Sequence, residues 1–220
     1  MDRTAAVDRI LAILDTIERG PVPVPIREVW VLGDVALGLD PIERVDLYIR
    51  KDMLFASDMS DPSREAEFEE EFGVSGIGST VSAEWATTFP EHIETTAAGY
   101  AAPERCLAAQ LVHDDEPIHL EICNASFEQN VKQRLKGAQA TGTWEELLDP
   151  RAVCLWQDGT RSKTAPAKLR SGEYIFPPLG EALEMLGLAE EDAQTAVAAM
   201  QSYREAQTGM SLRSDVVSDI

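Results

Sequence analysis

Lysine is scarce in this 220-residue chain, and so are aromatic residues, cysteine and histidine. Asp and Glu outnumber Lys and Arg by 39 to 19, which sets a formal net charge of −20, and only five of the basic residues are lysines. A surface so poor in cations repels a phosphate backbone, which argues against a general nucleic-acid coat. No apolar run approaches the roughly 18 residues that a membrane span needs. The opening Met1-Asp2-Arg3-Thr4 is polar and carries no signal-peptide core, so a cytoplasmic protein is expected. Cys106, Cys123 and Cys154 form no C-x-x-C pair, and their odd number implies reduced, mostly buried thiols. With only His92, His113 and His119 beside them, no zinc ligand set emerges: His119 and Cys123 lie four apart on a predicted strand, about 13 Å from each other. What is present is a 44% hydrophobic content, enough to bury a sizeable core in one or two domains.

Periodicity places the elements. Val7, Ile10, Leu11, Leu14 and Ile17 form one stripe and predict a helix over 3–19, stopped by Gly20-Pro21. A stiff Pro-Val-Pro-Val-Pro connector leads to a strand over Ile26–Leu32 that ends at Gly33. A second strand follows over Arg44–Arg50, where Val45, Leu47 and Ile49 alternate with Arg44, Asp46 and Tyr48. An acidic helix over 63–72 and short helices over 82–89 and 103–111 precede a strand over Pro117–Cys123. That strand sets Ile118, Leu120 and Ile122 opposite His119, Glu121 and Cys123. Further on, the pattern predicts a helix over 127–135, a short helix opened by a Thr143/Glu146 capping box, and a small strand over Val153–Trp156. Two last helices, over Pro178–Leu186 and Glu190–Ala206, are expected to bury Leu183, Leu186, Val197, Met200 and Tyr203. The expected class is α+β: a small mixed β-sheet with flanking helices over 1–126, a mostly helical C-terminal part over 127–206, and a frayed tail over 207–220.

The order helix, strand, glycine turn, acid-bearing strand and later acid-bearing strand resembles the nucleotidyltransferase fold. Val29-Trp30-Val31-Leu32-Gly33-Asp34 is similar to its first strand and turn, Val45-Asp46-Leu47-Tyr48-Ile49 to its acidic strand, and Leu120-Glu121-Ile122 to the strand of its third carboxylate. The resemblance implies nucleotide binding at Gly33 and Asp34, with Asp46 and Glu121 as catalytic and metal-ligating candidates. Mg²⁺ is the implied cofactor, because carboxylates sharing a strand face can hold ions that polarise phosphates. The chain also departs from the pattern. Arg44 stands where the first of the paired carboxylates belongs, and Asp34 puts a negative charge into the phosphate turn. Asp46 and Glu121 alone do not complete a two-metal site. An alternating strand equally accommodates both as outward polar residues, with Arg44 and Asp46 as a surface pair. These departures imply a non-catalytic regulatory or assembly protein, with a divergent Mg-dependent nucleotidyltransferase as the alternative. The acidic, lysine-poor composition resembles that of salt-in haloarchaeal proteins, and the phrase from Glu28 to Pro41 is similar to a haloarchaeal family without established activity.

The charge is uneven along the chain. Residues 1–128 hold 9 basic against 26 acidic residues, whereas 129–170 hold 8 basic against 4 acidic. Gly159–Gly172 carries Arg161, Lys163, Lys168 and Arg170 with no acid, a candidate anion or partner contact. That stretch can pair with the acidic N-terminal half within the chain, across a homo-oligomer, or with an acidic protein partner. A nucleotide or nucleic-acid binder acting through 129–170 is the third functional expectation.

Overall fold

The computed structural model describes residues 1–54 and 62–214, with the side chains of 62–65 left aside. Helix α1 (Arg3–Arg19) starts where the Asp2 carboxylate accepts a hydrogen bond from the Ala5 amide, and Gly20 closes it at a φ of 49°. Its buried stripe is Ala6, Val7, Ile10, Ile13, Leu14 and Ile17; Ile13 takes the place expected for Leu11, which is only half-buried. Strand β1 (Ile26–Leu32) runs into the single turn α2 (Gly33–Ala36), and β2 (Val45–Lys51) follows. Helices α3 (Pro62–Phe72), α4 (Ala83–Thr88) and α5 (Pro103–Leu111) connect β2 to β3 (Ile118–Cys123). Trp85, Ile77 and Val81 form a small core of their own within that connection. Beyond β3 come α6 (Phe127–Thr141), β4 (Val153–Gln157), β5 (Thr160–Arg161), α7 (Ala165–Ser171), α8 (Leu179–Met185), α9 (Glu190–Glu205) and β6 (Ser211–Ser214).

The six strands among the described residues make one mixed, open sheet in the order β5-β4-β1-β2-β3-β6, so the chain is α+β. Strand β1 is antiparallel to both β2 and β4, while β2, β3 and β6 are mutually parallel. Three strands lie before residue 126 and three beyond it, and all six belong to the same sheet.

Side chains alternate across a strand, so the register assigns each residue to a face. Val29, Val31, Leu47, Ile49, Leu120 and Ile122 share one face and meet Leu14, Leu107 and Leu169 of α1, α5 and α7. The opposite face carries the rows Leu32–Asp46–His119–Ser211 and Trp30–Tyr48–Glu121–Arg213. Helix α6 covers part of it. Phe127 stacks on Trp30 with ring centroids 4.9 Å apart and meets Tyr48 edge-on, and the Tyr48 hydroxyl donates to the Ala125 carbonyl at 2.6 Å. The end of α6 packs with α8 and α9 through Leu135, Leu183, Ala193 and Ala196.

Four expectations are corrected. The tail is not frayed at Ser211–Ser214, because that segment pairs with β3. Helix α6 runs past Leu135 to Thr141, since its left-handed closing residue is Gly142 (φ 74°) and Gly137 lies inside the helix. Thr143 and Glu146 open no helix: the chain there makes a turn closed by the Leu147 amide on the Trp144 carbonyl, and Pro150 follows. Leu186 is exposed, while Val197, Met200 and Tyr203 are only half-buried. The described residues include no helix long and apolar enough to cross a membrane.

Candidate functional site

The polar rows of the sheet end against α2 and beneath α9, and there the sequence puts charge where a core would normally hold hydrocarbon. Gly33 turns the chain out of β1 at a φ of 64°. A Cβ at this position would come within 2.4 Å of the Asp46 Oδ2 atom, so the glycine is required by both its backbone and its neighbour. Asp34, in the following turn, accepts hydrogen bonds from the Glu43 and Arg44 amides at 3.0 and 3.4 Å and pairs with Arg204 at 2.6 Å. Its carboxylate is thus committed to the β1–β2 connection and to α9.

Asp46 is buried, with its Oδ1 2.6 Å from Arg44 and its Oδ2 3.5 Å from Arg204. Arg44 is fixed in turn by Gln207, which accepts from it at 2.5 Å. Burial pushes the Asp46 carboxyl above its ordinary range even with Arg44, Arg204 and His119 nearby. Glu121 titrates in the opposite direction. Burial alone would raise it, but hydrogen bonding to His119 and the charges of Arg213 and Arg134 hold it down at about 2. Arg134 lies 2.7 Å from Glu121 Oε2, Arg213 donates to Oε1, and His119 Nε2 is 3.4 Å away. His119 Nδ1 meets the Ser211 hydroxyl at 2.8 Å. The outward placement open to Asp46 and Glu121 in an alternating strand does not occur, and Arg44–Asp46 is a buried pair.

A cavity of about 470 Å³ separates this part of the sheet from α8, α9 and the loop before β4. Gly33, Asp46, His119 and Glu121 contribute to its lining from the sheet side, and Arg44, Arg204 and Arg213 bring guanidinium groups to it. Leu147, Leu179, Val197 and Met200 supply its apolar side, which accounts for the half-burial of the last two. Of the residues singled out from sequence, Gly33, Asp46 and Glu121 come together here, and Asp34 sits behind them through Arg204. The arrangement does not suit Mg²⁺. Both carboxylates are already compensated by arginine, and among the described residues no group of three or more His, Cys, Asp or Glu side chains converges on a point where a metal ion would sit.

The basic stretch lies elsewhere. Arg161 pairs with Asp15 at 2.6 Å and Glu18 at 3.4 Å on α1, and Arg170 pairs with Asp8 at 2.5 Å. Lys168 stands 5.7 Å over the Tyr174 ring, and Lys163 lines a shallow depression with Arg161. The arginines that meet the two carboxylates from afar, Arg134, Arg204 and Arg213, have no local motif. They arrive from α6, α9 and β6, far along the chain, and the only sequence signal is the rarity of basic residues in so acidic a protein. Away from this cavity, the buried Lys51 at the end of β2 pairs with Glu104 at 3.0 Å and donates to Asn124 Oδ1 at 2.7 Å. Cys106, Cys123 and Cys154 form no disulfide among the described residues; Cys106 and Cys123 are buried, and burial pushes the Cys106 thiol up to about 11.

Residues 2–217 match a family described as a family of unknown function (DUF7095), and the chain belongs to that family. No curated protein and no solved structure matches the chain, so no comparison connects it to nucleotidyltransferases.

Proposed function

We propose that this chain is a non-catalytic regulatory or assembly protein with a nucleotidyltransferase-like order of elements, working in the cytoplasm at high salt. The observation that carries this reading is the pairing of the two acid-bearing strands with arginine. Asp46 is bridged to Arg44 and Arg204, and Glu121 is clamped by Arg134 and Arg213. A metal-dependent transferase needs those carboxylates free to ligate cations. Here guanidinium groups stand against both carboxylates and compensate their charge.

A second reading, a divergent Mg-dependent nucleotidyltransferase, draws on the convergence of Gly33, Asp46 and Glu121 on one cavity. Calorimetry separates the two. Titration of the full chain with Mg²⁺ or Mn²⁺ and ATP in molar KCl is expected to give no binding isotherm. An isotherm that disappears in Asp46→Asn would overturn the non-catalytic reading. Binding of nucleic acid through 129–170 finds less support, because Arg161 and Arg170 spend their charge on α1.

A further inference from the structure

The carboxyl ends of β2, β3 and β6 lie at the other end of the sheet from Asp46 and His119. A cavity of about 880 Å³ opens there. Lys51 at the end of β2, Asn124 just past β3 and Ser214 of β6 line it, and the first turn of α5 adds Glu104 and Arg105. The chain continues from β2 to the face packed by α5 and from β3 to the face covered by α6, so the two connections part between these neighbours. Crevices of this kind, outside the carboxyl ends of parallel strands, are where open sheets bind ligands. The volume is in the range of small-molecule sites.

Its charges balance. Lys51 and Arg105 stand with Asp52 and Glu104 on the lining; Asp52 is also held by Arg27 at 2.9 Å, and Arg105 donates to the Thr95 carbonyl at 3.3 Å. An ion of either sign therefore finds no surplus of the other. What the cavity offers is hydrogen-bonding capacity left over on both sides. Lys51 is 5% exposed and directs two of its three ammonium hydrogens to Glu104 and Asn124. Glu104 meets Lys51 through Oε1 at 3.0 Å, and its Oε2 has no partner among the described residues. That oxygen is not sealed in the interior as Asp46 Oδ2 and Glu121 Oε2 are, so the carboxylate opens onto the cavity. Thr80 and Thr95 add hydroxyl groups from the long β2–β3 connection, and that of Thr95 makes no hydrogen bond among the described residues.

We propose that this cavity binds a small uncharged polyol of the sugar class, with two neighbouring hydroxyls on the Lys51–Glu104 pair. One hydroxyl donates to the Glu104 carboxylate and the other accepts from the Lys51 ammonium, both charge-assisted, and the Thr95 hydroxyl takes a further contact. Such a ligand adds no charge to a balanced lining, so nothing ionic is left enclosed without a partner. A planar base would call for an aromatic side chain to stack on, and the described lining has none. The site goes beyond the regulatory reading and does not depend on it, since it shares no lining residue with the cavity at Asp46 and Glu121.

The test is saturation-transfer NMR on the full chain in molar KCl. The probes are glucose, ribose and maltose as ring sugars, sorbitol as an open-chain polyol, and glucuronate and glucosamine as charged counterparts. Saturable binding of at least one neutral probe is expected. Both charged counterparts should bind at least about tenfold more weakly than the best neutral probe, because each brings a charge without a partner. Thr95→Val should weaken binding about threefold to tenfold, the equivalent of one neutral hydrogen bond, with the near-ultraviolet circular dichroism unchanged. The double variant Lys51→Met/Glu104→Leu removes the pair without leaving a buried charge unpartnered, and it should abolish binding. Should the double variant fail to fold, Thr95→Val and the charged counterparts decide the matter. No saturable binding by any neutral probe, a charged counterpart as tight as the best neutral one, affinity unmoved in Thr95→Val, or binding that survives in a folded double variant would each overturn the proposal. Calorimetry with Mg²⁺ and ATP judges the non-catalytic reading separately, so either can fail alone.

Discussion

Removing the charge of Glu121 while keeping its shape tests the electrostatics of the site directly. Glu121→Gln leaves Arg134 and Arg213 facing an amide that can accept at only one atom. The carboxyl is held at about 2 from an ordinary 4.5. At about 1.4 kcal/mol per pH unit, that displacement corresponds to about 3 kcal/mol of stability. The cost of breaking one partner of a buried pair, about 3–5 kcal/mol, agrees. Both figures apply because the Glu121 side chain is 5% exposed and solvent screens it little. The folded-state value lies below the unfolded one, so the contribution is complete above pH 4.5 and lost as the pH falls toward 2. Urea unfolding of wild type and Glu121→Gln in molar KCl should therefore differ by about 3 kcal/mol from pH 8 down to pH 5. The gap should then narrow by roughly 1 kcal/mol per unit below that. Asp46, raised by burial, contributes with the opposite sign in both proteins and cancels from the difference. A gap below about 1 kcal/mol at neutral pH, or one that stays constant into acid, refutes the reasoning.

Three other perturbations probe the same framework. Gly33→Ala must adopt a left-handed backbone and displace Asp46 Oδ2 from a 2.4 Å approach; a loss of about 3 kcal/mol or more is expected, and Asp46→Ala in the same chain should recover the part due to the clash. Equal stability of Gly33→Ala and wild type would contradict this. Lys51→Met and Glu104→Leu should each cost about 3–5 kcal/mol alone but much less together, since the double variant leaves no buried charge without its partner; additive losses in a denaturation cycle would count against it. Withdrawing KCl should loosen the fold, because a net charge of −20 repels itself once the screening length grows from about 3 Å at 1 M to about 30 Å at 0.01 M; unchanged circular dichroism in dilute buffer would argue the reverse.

The sheet and α1 were legible because their hydrophobic periods are long and clean. Ile26–Leu32 and Arg3–Arg19 have the bounds that their patterns predict. Alternation also put Asp46, His119 and Glu121 on the face opposite the aliphatic residues. It did not show that this face is buried. Burial depends on α9 and β6, which return to the sheet after more than 60 further residues, and no local signal announces a return of that length. Ser211–Ser214 is short and has a single apolar residue, Leu212, and only its pairing with β3 makes it a strand. The capping-box pattern at Thr143 failed for the complementary reason: Trp144 and Leu147 are drawn into the cluster with Leu183 and Ala196, and Pro150 leaves no room for a helix.

Arg44 illustrates how an apparent defect in a motif can carry the meaning of a site. From sequence it is only an arginine where an acid was expected. In the fold it is the first of four cations, from four separate parts of the chain, that meet carboxylates at positions where a transferase would keep them free: Arg44 and Arg204 on Asp46, Arg134 and Arg213 on Glu121. The Coulomb attraction of such pairs grows as water is excluded, whereas interactions among the exposed carboxylates are weakened by every added ion. Salt thus acts on the two populations differently. It quenches the negative field of the outer surface, and it changes the buried arginine–carboxylate pairs far less. In a chain with 39 acidic residues, the buried arginine–carboxylate pairs thus persist under the same ionic conditions that relieve the self-repulsion of the fold.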